Sequence, residues 1–368
     1  MELQEELAPV SPARPPAVKK HPDFFIIGAP KCGTTAMSEY LSHHRDIYMA
    51  RKEMLYFGRD LQFGPQMYRR NREDYLKEFD GWRGQSRAGE ASVWYLFSQQ
   101  AAAEIKAFNP EARIIIMIRE PVEMLYSLYH QYRLDGNEHL PTFQAALAAQ
   151  DDRRAGRKLT RRTYFRQGLI YHETARYAEQ ISRYFKAFGR DQVEVVLYDD
   201  FAAKTPEVYT RVLEFLGVDA TPKTGHFRVI NGSQAVKRPW LRNLMSDPLV
   251  RGTAVAAHAW LPRPVFSLLR EIESRLQQSN IRLAKRPPMD PDLRRHLQRE
   301  FAPEVERLSE LLGRDLTAWS RSEPARAKPD GLPDVAVGDR SGPKAHAKAG
   351  QAARSSNQPT GLALNSNS

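Results

Sequence analysis

Cysteine is almost absent from this sequence, whose 368 residues include a single one, Cys32. One cysteine excludes an intramolecular disulfide and a cysteine-based metal cluster, and scarcity of cysteine is typical of proteins in reducing compartments. The sequence also lacks any apolar run near the roughly 18 residues that cross a bilayer, and residues 1–20 lack the apolar core of a signal peptide. These absences predict a cytoplasmic protein without a metal site.

Acidic residues are outnumbered, with 44 Asp and Glu against 55 Lys and Arg, which gives a net charge of +11. This excess favours an anionic ligand, a nucleic acid or an acidic surface without choosing among them. The apolar fraction of 41% is enough to bury a core at this chain length. The composition predicts a globular domain over 22–320, a flexible arm over 1–21, and a disordered tail over 321–368.

Apolar runs alternate with amphipathic helical patterns along the globular part of the sequence. The runs at 24–27 and 113–119 are continuous and lack apolar–polar alternation, so they predict strands that are buried on both faces, and the run at 193–198 predicts a third strand. Weaker patterns predict strands at 47–50 and 87–92, and helices at 66–79, 98–108, 122–134, 171–188 and 206–216. This order predicts a P-loop-like three-layer α/β/α fold with a central parallel sheet, on which C-terminal helices at about 240–320 are docked.

The first strand is joined to the first helix by a loop that Gly28 and Gly33 bound. A strand, a glycine-rich loop and a helix start direct several backbone N–H groups to one point, with the helix dipole behind them. Thr34 and Thr35 are the candidates for the helix N-cap, and Lys31 adds a positive charge to the loop. This pattern predicts an anion-binding loop, and an ordinary strand-to-helix turn is the alternative.

Two residues argue against a nucleoside-triphosphate site with a metal ion. Gly28 and Gly33 have the spacing of that motif, but Thr34 stands where its lysine is needed. The strand at 113–119 ends in Arg119, where a P-loop kinase would place a metal-binding aspartate, and a guanidinium suits a phosphate. The sequence therefore predicts a metal-free phosphate site, with a P-loop kinase of a small metabolite as the alternative enzyme.

Glu53 is a candidate general base. It precedes the apolar residues 54–57, and a carboxylate at the edge of an apolar surface has a raised pKa that suits proton abstraction. A surface ion pair with Lys52 is the alternative.

Several basic stretches have no assigned partner. The segment 151–166 carries seven basic residues among sixteen, which fits a solvated loop or a surface for an acidic acceptor equally well. The loop-like stretch 221–239 is a candidate lid, and the basic amphipathic segment 265–276 permits contact with a membrane surface. A non-enzymatic polyanion-binding protein is therefore an alternative from a different class, although no nucleic-acid motif is present.

Three segments in this order, PKCGTTA at 30–36, KEMLYF at 52–57 and IREPVEMLYSLYHQY at 118–132, resemble sulfotransferases. The resemblance is to enzymes that use 3′-phosphoadenosine 5′-phosphosulfate (PAPS), particularly bacterial members and the heparan sulfate branch, and it covers about 24–319. It implies transfer of the sulfuryl group to a hydroxyl, or to an amine, of a carbohydrate, lipid or small alcohol. Adenosine 3′,5′-bisphosphate (PAP) would be released.

The resemblance also implies roles for individual residues. Lys31 would act on the 5′-phosphosulfate during transfer, and Glu53 would deprotonate the acceptor hydroxyl. Arg119 and Ser127 would bind the 3′-phosphate, and the closing loop would add two basic residues. The implied donor-binding residues are Lys31, Cys32, Gly33, Thr34, Thr35, Ala36, Arg119, Ser127, Lys237 and Arg238.

The sequence departs from the heparan sulfate enzymes at the acceptor side. Leu55 stands where they tend to carry a histidine, and Ala91 stands where they carry a lysine. Their disulfide near the closing loop cannot form here, and the lack of an apolar run in residues 1–21 leads us to expect an enzyme unlike the Golgi-anchored animal members. These departures leave the donor site intact and the acceptor unassigned.

Overall fold

The computed structural model describes residues 21–64, 71–221, 227, 234–236, 281–283 and 286–321. Five parallel strands form the central sheet of this part of the chain, in the order β2-β3-β1-β4-β5. The strands are β1 (Phe24–Ile26), β2 (Ile47–Met49), β3 (Arg87–Ala91), β4 (Arg113–Ile118) and β5 (Val193–Leu197). A separate antiparallel pair joins β6 (Gln234–Val236) to β7 (Ile281–Leu283).

Helices follow most of the strands, and the result is the three-layer α/β/α fold that the alternating pattern predicts. Their bounds are α1 (Thr34–Ser42), α2 (Arg72–Lys77), α3 (Ala101–Phe108), α4 (Pro121–Asp135), α5 (Phe143–Ala148), α6 (Gln150–Arg154), α7 (Tyr171–Thr174), α8 (Tyr177–Phe188), α9 (Tyr198–Ala203), α10 (Thr205–Leu216) and α11 (Pro291–Leu312). No helix in the described ranges combines the length and the apolar content that crossing a bilayer requires.

The two central strands form the core of the sheet. All three residues of β1 and the five residues 114–118 of β4 are fully buried, because helices cover both faces of the sheet and remove these side chains from water. The continuous apolar runs therefore predict these strands correctly. Since all the strands are parallel, the loops that follow β1, β3 and β4 leave the sheet at the same edge.

Two differences from the predicted helices have a clear local cause. The N-cap of α1 is Gly33, with φ of 87°, and Thr34 is already the first helical residue, so the threonines are not the cap. The helix predicted over 171–188 is interrupted between α7 and α8. There the Thr174 hydroxyl donates to the Tyr171 carbonyl at 2.7 Å, and such local side-chain bonds compete with the helical ladder.

The C-terminal helix packs on the main body, as its leucines predict. Leu308 and Leu316 are buried, and a Glu304 carboxylate oxygen accepts a hydrogen bond from the Ala178 N–H at 2.7 Å, at the start of α8. A carboxylate is stabilised there by the helix dipole. The helix predicted within 240–280, the N-terminal arm and the C-terminal tail lie outside the described residues and stay predictions.

The basic segment 151–166 takes part in a network of ion pairs and hydrogen bonds. Arg153 and Glu138 are both fully buried, and Arg153 Nη2 donates to both carboxylate oxygens of Glu138 at 2.7 Å. The Tyr171 hydroxyl donates to the same carboxylate at 3.0 Å. Further basic residues of the segment contact nearby carboxylates or backbone oxygens, namely Arg154, Arg157, Lys158 and Arg166. Much of the segment's charge is therefore paired within the fold.

Candidate active site

Three stretches that are far apart in the sequence meet at the carboxyl edge of the sheet. The glycine-bounded loop follows β1, and Arg119 follows β4. The segment 52–57 crosses the end of β3, where the Glu53 N–H donates to the Ala91 carbonyl at 2.8 Å. Ligand sites in open parallel sheets lie at this edge, so the geometry selects the same region as the sequence motifs.

The loop after β1 is shaped for a ligand that accepts backbone hydrogen bonds. A Cβ atom on Gly33 would lie 3.2 Å from the Phe201 ring and 3.3 Å from the Tyr198 ring, in a backbone conformation that favours glycine. Gly33 is the N-cap of α1 and has no side chain that could accept from the N–H groups of the first turn. The N–H groups of this turn can therefore serve an anion.

Lys31 is tied to helix α4 by a hydrogen-bond relay. Its Nζ donates to Gln131 Oε1 at 2.9 Å, and Gln131 Nε2 donates to Asp135 Oδ1 at 2.8 Å. The Tyr164 hydroxyl donates to the other oxygen of Asp135 at 3.2 Å. Burial lowers the pKa of the Lys31 ammonium, and Arg286 and Arg119 lower it further although Asp135 opposes them. A bound anion would offset this repulsion.

Arg119 lies between helix α4 and an aromatic ring. Its guanidinium stands 4.7 Å from the centre of the Tyr198 ring, and its Nη2 donates to Glu123 Oε2 at 3.1 Å. Ser127 is buried one turn beyond Glu123 on α4, and Gln131 lies another turn along, so the three side chains share one face. The predicted phosphate-binding residues and the Lys31 relay thus meet the same helix.

Glu53 has the environment that a general base needs. Its backbone is left-handed, with φ of 57°, and its side chain remains 35% exposed beside the cleft. The Oε2 atom accepts a hydrogen bond from the Val93 N–H at 3.3 Å. Burial raises the pKa of Glu53, against the opposing effects of Lys52 and the Val93 N–H, which is the direction that its apolar neighbours predict.

The segment that carries Glu53 is fastened to a buried carboxyl group. Glu90 is fully buried and accepts hydrogen bonds from three hydroxyls, those of Tyr75 at 2.8 Å, Ser92 at 3.0 Å and Tyr95 at 3.3 Å. The Ser92 and Tyr95 oxygens accept in turn from the backbone N–H groups of residues 54, 56 and 57. Sequence reasoning did not assign this anchoring role, because it depends on hydroxyls that only the fold brings together.

We expect Glu90→Gln to change how stability depends on pH. Burial raises the pKa of Glu90 from 4.5 to about 7, so the stabilisation from its neutral form is complete below the unfolded-state pKa and is lost as pH rises through about 7. The loss for the wild type is on the order of 3 kcal/mol. Urea unfolding at pH 5 and pH 8 measures the free energy of unfolding of both proteins. The difference between the variant and the wild type should shift in favour of the variant at pH 8. The exposed Glu111→Gln is the control, and an equal pH effect in both variants would contradict the assignment.

The remaining predicted residues have different outcomes. Cys32 is fully buried and burial raises the pKa of its thiol to about 12, so it offers a ligand its backbone N–H and not a thiolate. Ala36 lies in the first turn of α1. Lys237 and Arg238 lie outside the described residues. Instead Arg286 follows β7, and its charge acts on both Lys31 and Arg119, a contribution that sequence reasoning missed.

Sequence reasoning also missed Gln131 and Asp135. The available signal was that Ser127, Gln131 and Asp135 follow one another at intervals of four residues, which places all three on one face of α4. Among the described residues, no group of three or more His, Cys, Asp or Glu side chains is arranged to hold a metal ion. The absence of a metal from the reaction stays a prediction.

Comparison with known proteins agrees with these features. A family model described as "Sulfotransferase domain" matches residues 21–234. The solved structure of a sulfotransferase from Alicyclobacillus acidocaldarius has a TM-score of 0.59 and 30% identity, and the match covers 82% of this chain and 99% of that chain.

Curated relatives include mouse sulfotransferases whose names refer to heparan sulfate glucosamine and to carbohydrate. Heparan sulfate glucosamine 3-O-sulfotransferase 3B1 of Mus musculus is 27% identical over 280 residues, which are 73% of this chain and 67% of that protein. Carbohydrate sulfotransferase 15 of Mus musculus is 27% identical over 250 residues, or 54% of this chain and 44% of that protein. The chain thus spans about two thirds of the length of the heparan sulfate enzyme and less than half of the length of the carbohydrate sulfotransferase. It belongs to the PAPS-dependent sulfotransferase family, and it is a transferase of that type.

Proposed function

We propose that this protein transfers the sulfuryl group of PAPS to a hydroxyl of a carbohydrate. The observation that carries the proposal is the meeting of Lys31, Arg119 and Glu53 at one edge of the sheet, beside the free start of α1. A cradle for anions and a separate base are the two parts that sulfuryl transfer needs. The names of the two curated relatives support a carbohydrate acceptor, while a lipid, a small alcohol or an amine is an outcome of the acceptor screen.

The donor side of the cleft is suited to a nucleotide with phosphates at both ends. The backbone of residues 32–36 and the Lys31 ammonium would hold the 5′-phosphosulfate. Arg119 would form charge-assisted bonds to the 3′-phosphate, together with the Ser127 hydroxyl, and Arg286 would add positive charge. These side chains supply the charge neutralisation that a metal ion provides in phosphoryl-transfer enzymes. We propose that the reaction uses no metal ion.

The acceptor side is served by Glu53. Its carboxylate takes the hydroxyl proton as the acceptor oxygen bonds to sulfur and the bond between sulfur and the phosphate oxygen breaks. Negative charge then collects on the phosphate of PAP, where Lys31 can stabilise it. The raised pKa of Glu53 makes it a better proton acceptor than an exposed glutamate.

We expect Arg119→Ala to weaken the binding of PAP. Loss of a charge-assisted contact costs about 1.5–3 kcal/mol, or roughly 10- to 150-fold in Kd. Isothermal titration calorimetry with PAP measures this without any knowledge of the acceptor. Arg72→Ala, which removes an exposed arginine at the start of α2, is the charge-matched control. Failure of the wild type to bind PAP would contradict the proposed function itself.

The acceptor is open to direct screening. Carbohydrates, lipids, small alcohols and amines can be offered with labelled PAPS, and a sulfated product identifies the class. We also propose a cytoplasmic enzyme, because the single cysteine fits a reducing compartment, and a bacterial one, because of its likeness to the Alicyclobacillus acidocaldarius sulfotransferase. The segment proposed for contact with a membrane surface, 265–276, lies outside the described residues.

A further inference from the structure

Lys52 reaches into the anion-binding loop from the segment that carries the base. Its Nζ lies 2.8 Å from Thr35 Oγ1 and 3.5 Å from Thr34 Oγ1, both in the first turn of α1. The distance from Nζ to Glu53 Oε1 is 4.0 Å, so the contact with the helix is the closer one. The ion pair between Lys52 and Glu53 that the sequence offers as the alternative is present at this longer distance, and the contact of Lys52 with α1 is added to it.

The ammonium lies in a partly enclosed position. Only 25% of the Lys52 side chain is exposed, and burial lowers its pKa although Glu53 opposes the effect. A buried cation is costly unless it is paired, and a carboxylate at 4.0 Å with two neutral hydroxyls offsets only part of this cost. Its surroundings are suited to an additional anionic group.

The hydrogen bond from Lys52 also determines which further hydrogen bonds the Thr35 hydroxyl can make. A hydroxyl has one hydrogen to donate and two lone pairs that accept. Because the Thr35 oxygen accepts from Lys52, its own hydrogen stays available for an oxygen atom of a ligand, and a hydroxyl polarised by an ammonium is a stronger donor. Lys52 and Thr35 together therefore present N–H and O–H donors between the helix start and Glu53.

Lys31 is directed elsewhere. Its Nζ bonds to Gln131 on α4, whereas Lys52 bridges the start of α1 and the base. In the proposed function the loop would hold the phosphate and Glu53 would hold the acceptor hydroxyl, so the sulfuryl group of PAPS would lie between these two places.

We infer that Lys52 is a further catalytic residue, whose ammonium binds the non-bridging oxygens of the sulfuryl group as it passes from donor to acceptor. The inference rests on the proposed function. In the step itself, the acceptor oxygen forms a bond to sulfur, the bond between sulfur and the phosphate oxygen breaks with its electron pair left on PAP, and Glu53 takes the acceptor proton. Lys52 changes no bond and keeps its proton, and it neutralises charge on the oxygens throughout.

The comparison of two nucleotides tests this role. PAPS and PAP differ by the sulfuryl group, so a residue that binds this group must affect PAPS and spare PAP. We expect Lys52→Met to weaken PAPS binding by roughly tenfold or more and to leave the Kd for PAP unchanged within about twofold. Calorimetry with PAPS and PAP separately measures both constants, and retained PAP binding shows that the variant is folded.

Two further variants sharpen the result. Lys52→Arg keeps the positive charge and should retain most of the preference for PAPS. Arg51→Met removes an exposed neighbouring charge and should change neither constant. Once an acceptor is known, Lys52→Met should also lower kcat by roughly 10²- to 10³-fold, as the loss of one transition-state donor does.

The outcomes are distinguishable. Equal weakening of PAPS and PAP by Lys52→Met would overturn the inference, because Lys52 would then only shape the loop, and so would the absence of any change. If the wild type binds neither nucleotide, the proposed function fails first. A normal wild type with a variant selectively impaired for PAPS is the expected result.

Discussion

Replacement of Glu53 by glutamine should lower kcat by roughly 10²- to 10⁴-fold and leave the Kd for PAP nearly unchanged. Glutamine keeps the shape of the side chain and its capacity to accept the Val93 N–H, but it cannot take a proton. A base is used only in the transition state, so its loss appears in turnover and not in nucleotide binding. Steady-state kinetics with the acceptor found by screening, together with calorimetry for PAP, separate the two quantities.

The pH profile gives an independent reading of the same residue. Glu53 must be deprotonated to act, so kcat/KM should fall as pH falls through its raised pKa, at a higher pH than an ordinary glutamate would give. Glu39→Gln, which changes an exposed glutamate of α1, serves as the control and should behave as the wild type. Near-wild-type turnover by Glu53→Gln would show that the base lies elsewhere in the cleft.

Replacement of Arg153 by leucine should lower the free energy of unfolding by about 3–5 kcal/mol. The partner, Glu138, would remain fully buried without its guanidinium, and the carbonyls of Ala146 and Leu169 would lose donors at 3.3 and 3.2 Å. An uncompensated buried carboxylate is the main cost. Urea unfolding followed by circular dichroism measures the loss.

The same segment contains a matched control for this prediction. Arg157 pairs with Asp152 at 2.7 Å, but its side chain is 66% exposed, and exposed pairs contribute about 0–1 kcal/mol. Arg157→Leu should therefore change stability by no more than that. Similar losses in the two variants would mean that burial of the Arg153 pair has no special weight.

The sheet could be predicted from the sequence because its signal is local. β1 and β4 are continuous apolar runs between turn residues, and such runs have few alternatives to buried strands. Their parallel order then brings Lys31, Glu53 and Arg119 to one edge, since the carboxyl ends of parallel strands coincide. The candidate site was therefore predictable as far as it follows from strand ends.

The rest of the site depends on contacts between distant parts of the chain. The left-handed backbone at Glu53 turns the chain where Lys52 meets Thr35, and no local pattern indicates it. The N-cap of α1 was wrongly assigned because threonine is a common cap, whereas here Gly33 adopts a conformation that threonine rarely takes. Arg286 joins the site because it follows the antiparallel pair of β6 and β7, and because the Tyr126 hydroxyl of α4 donates to the carbonyl of the next residue, Pro287, at 3.0 Å.

The buried attachment of the base to Glu90 has a consequence for how the two sides of the reaction could change in evolution. The segment that carries Glu53 is held from behind by Ser92 and Tyr95, which follow β3. Lys31 is held by Gln131 and Asp135 of α4, and the Tyr164 hydroxyl donates to Asp135. Because the two supports come from different elements, substitutions on α4 can alter the donor side while the attachment of the base stays in place. Donor binding and proton removal can therefore evolve separately.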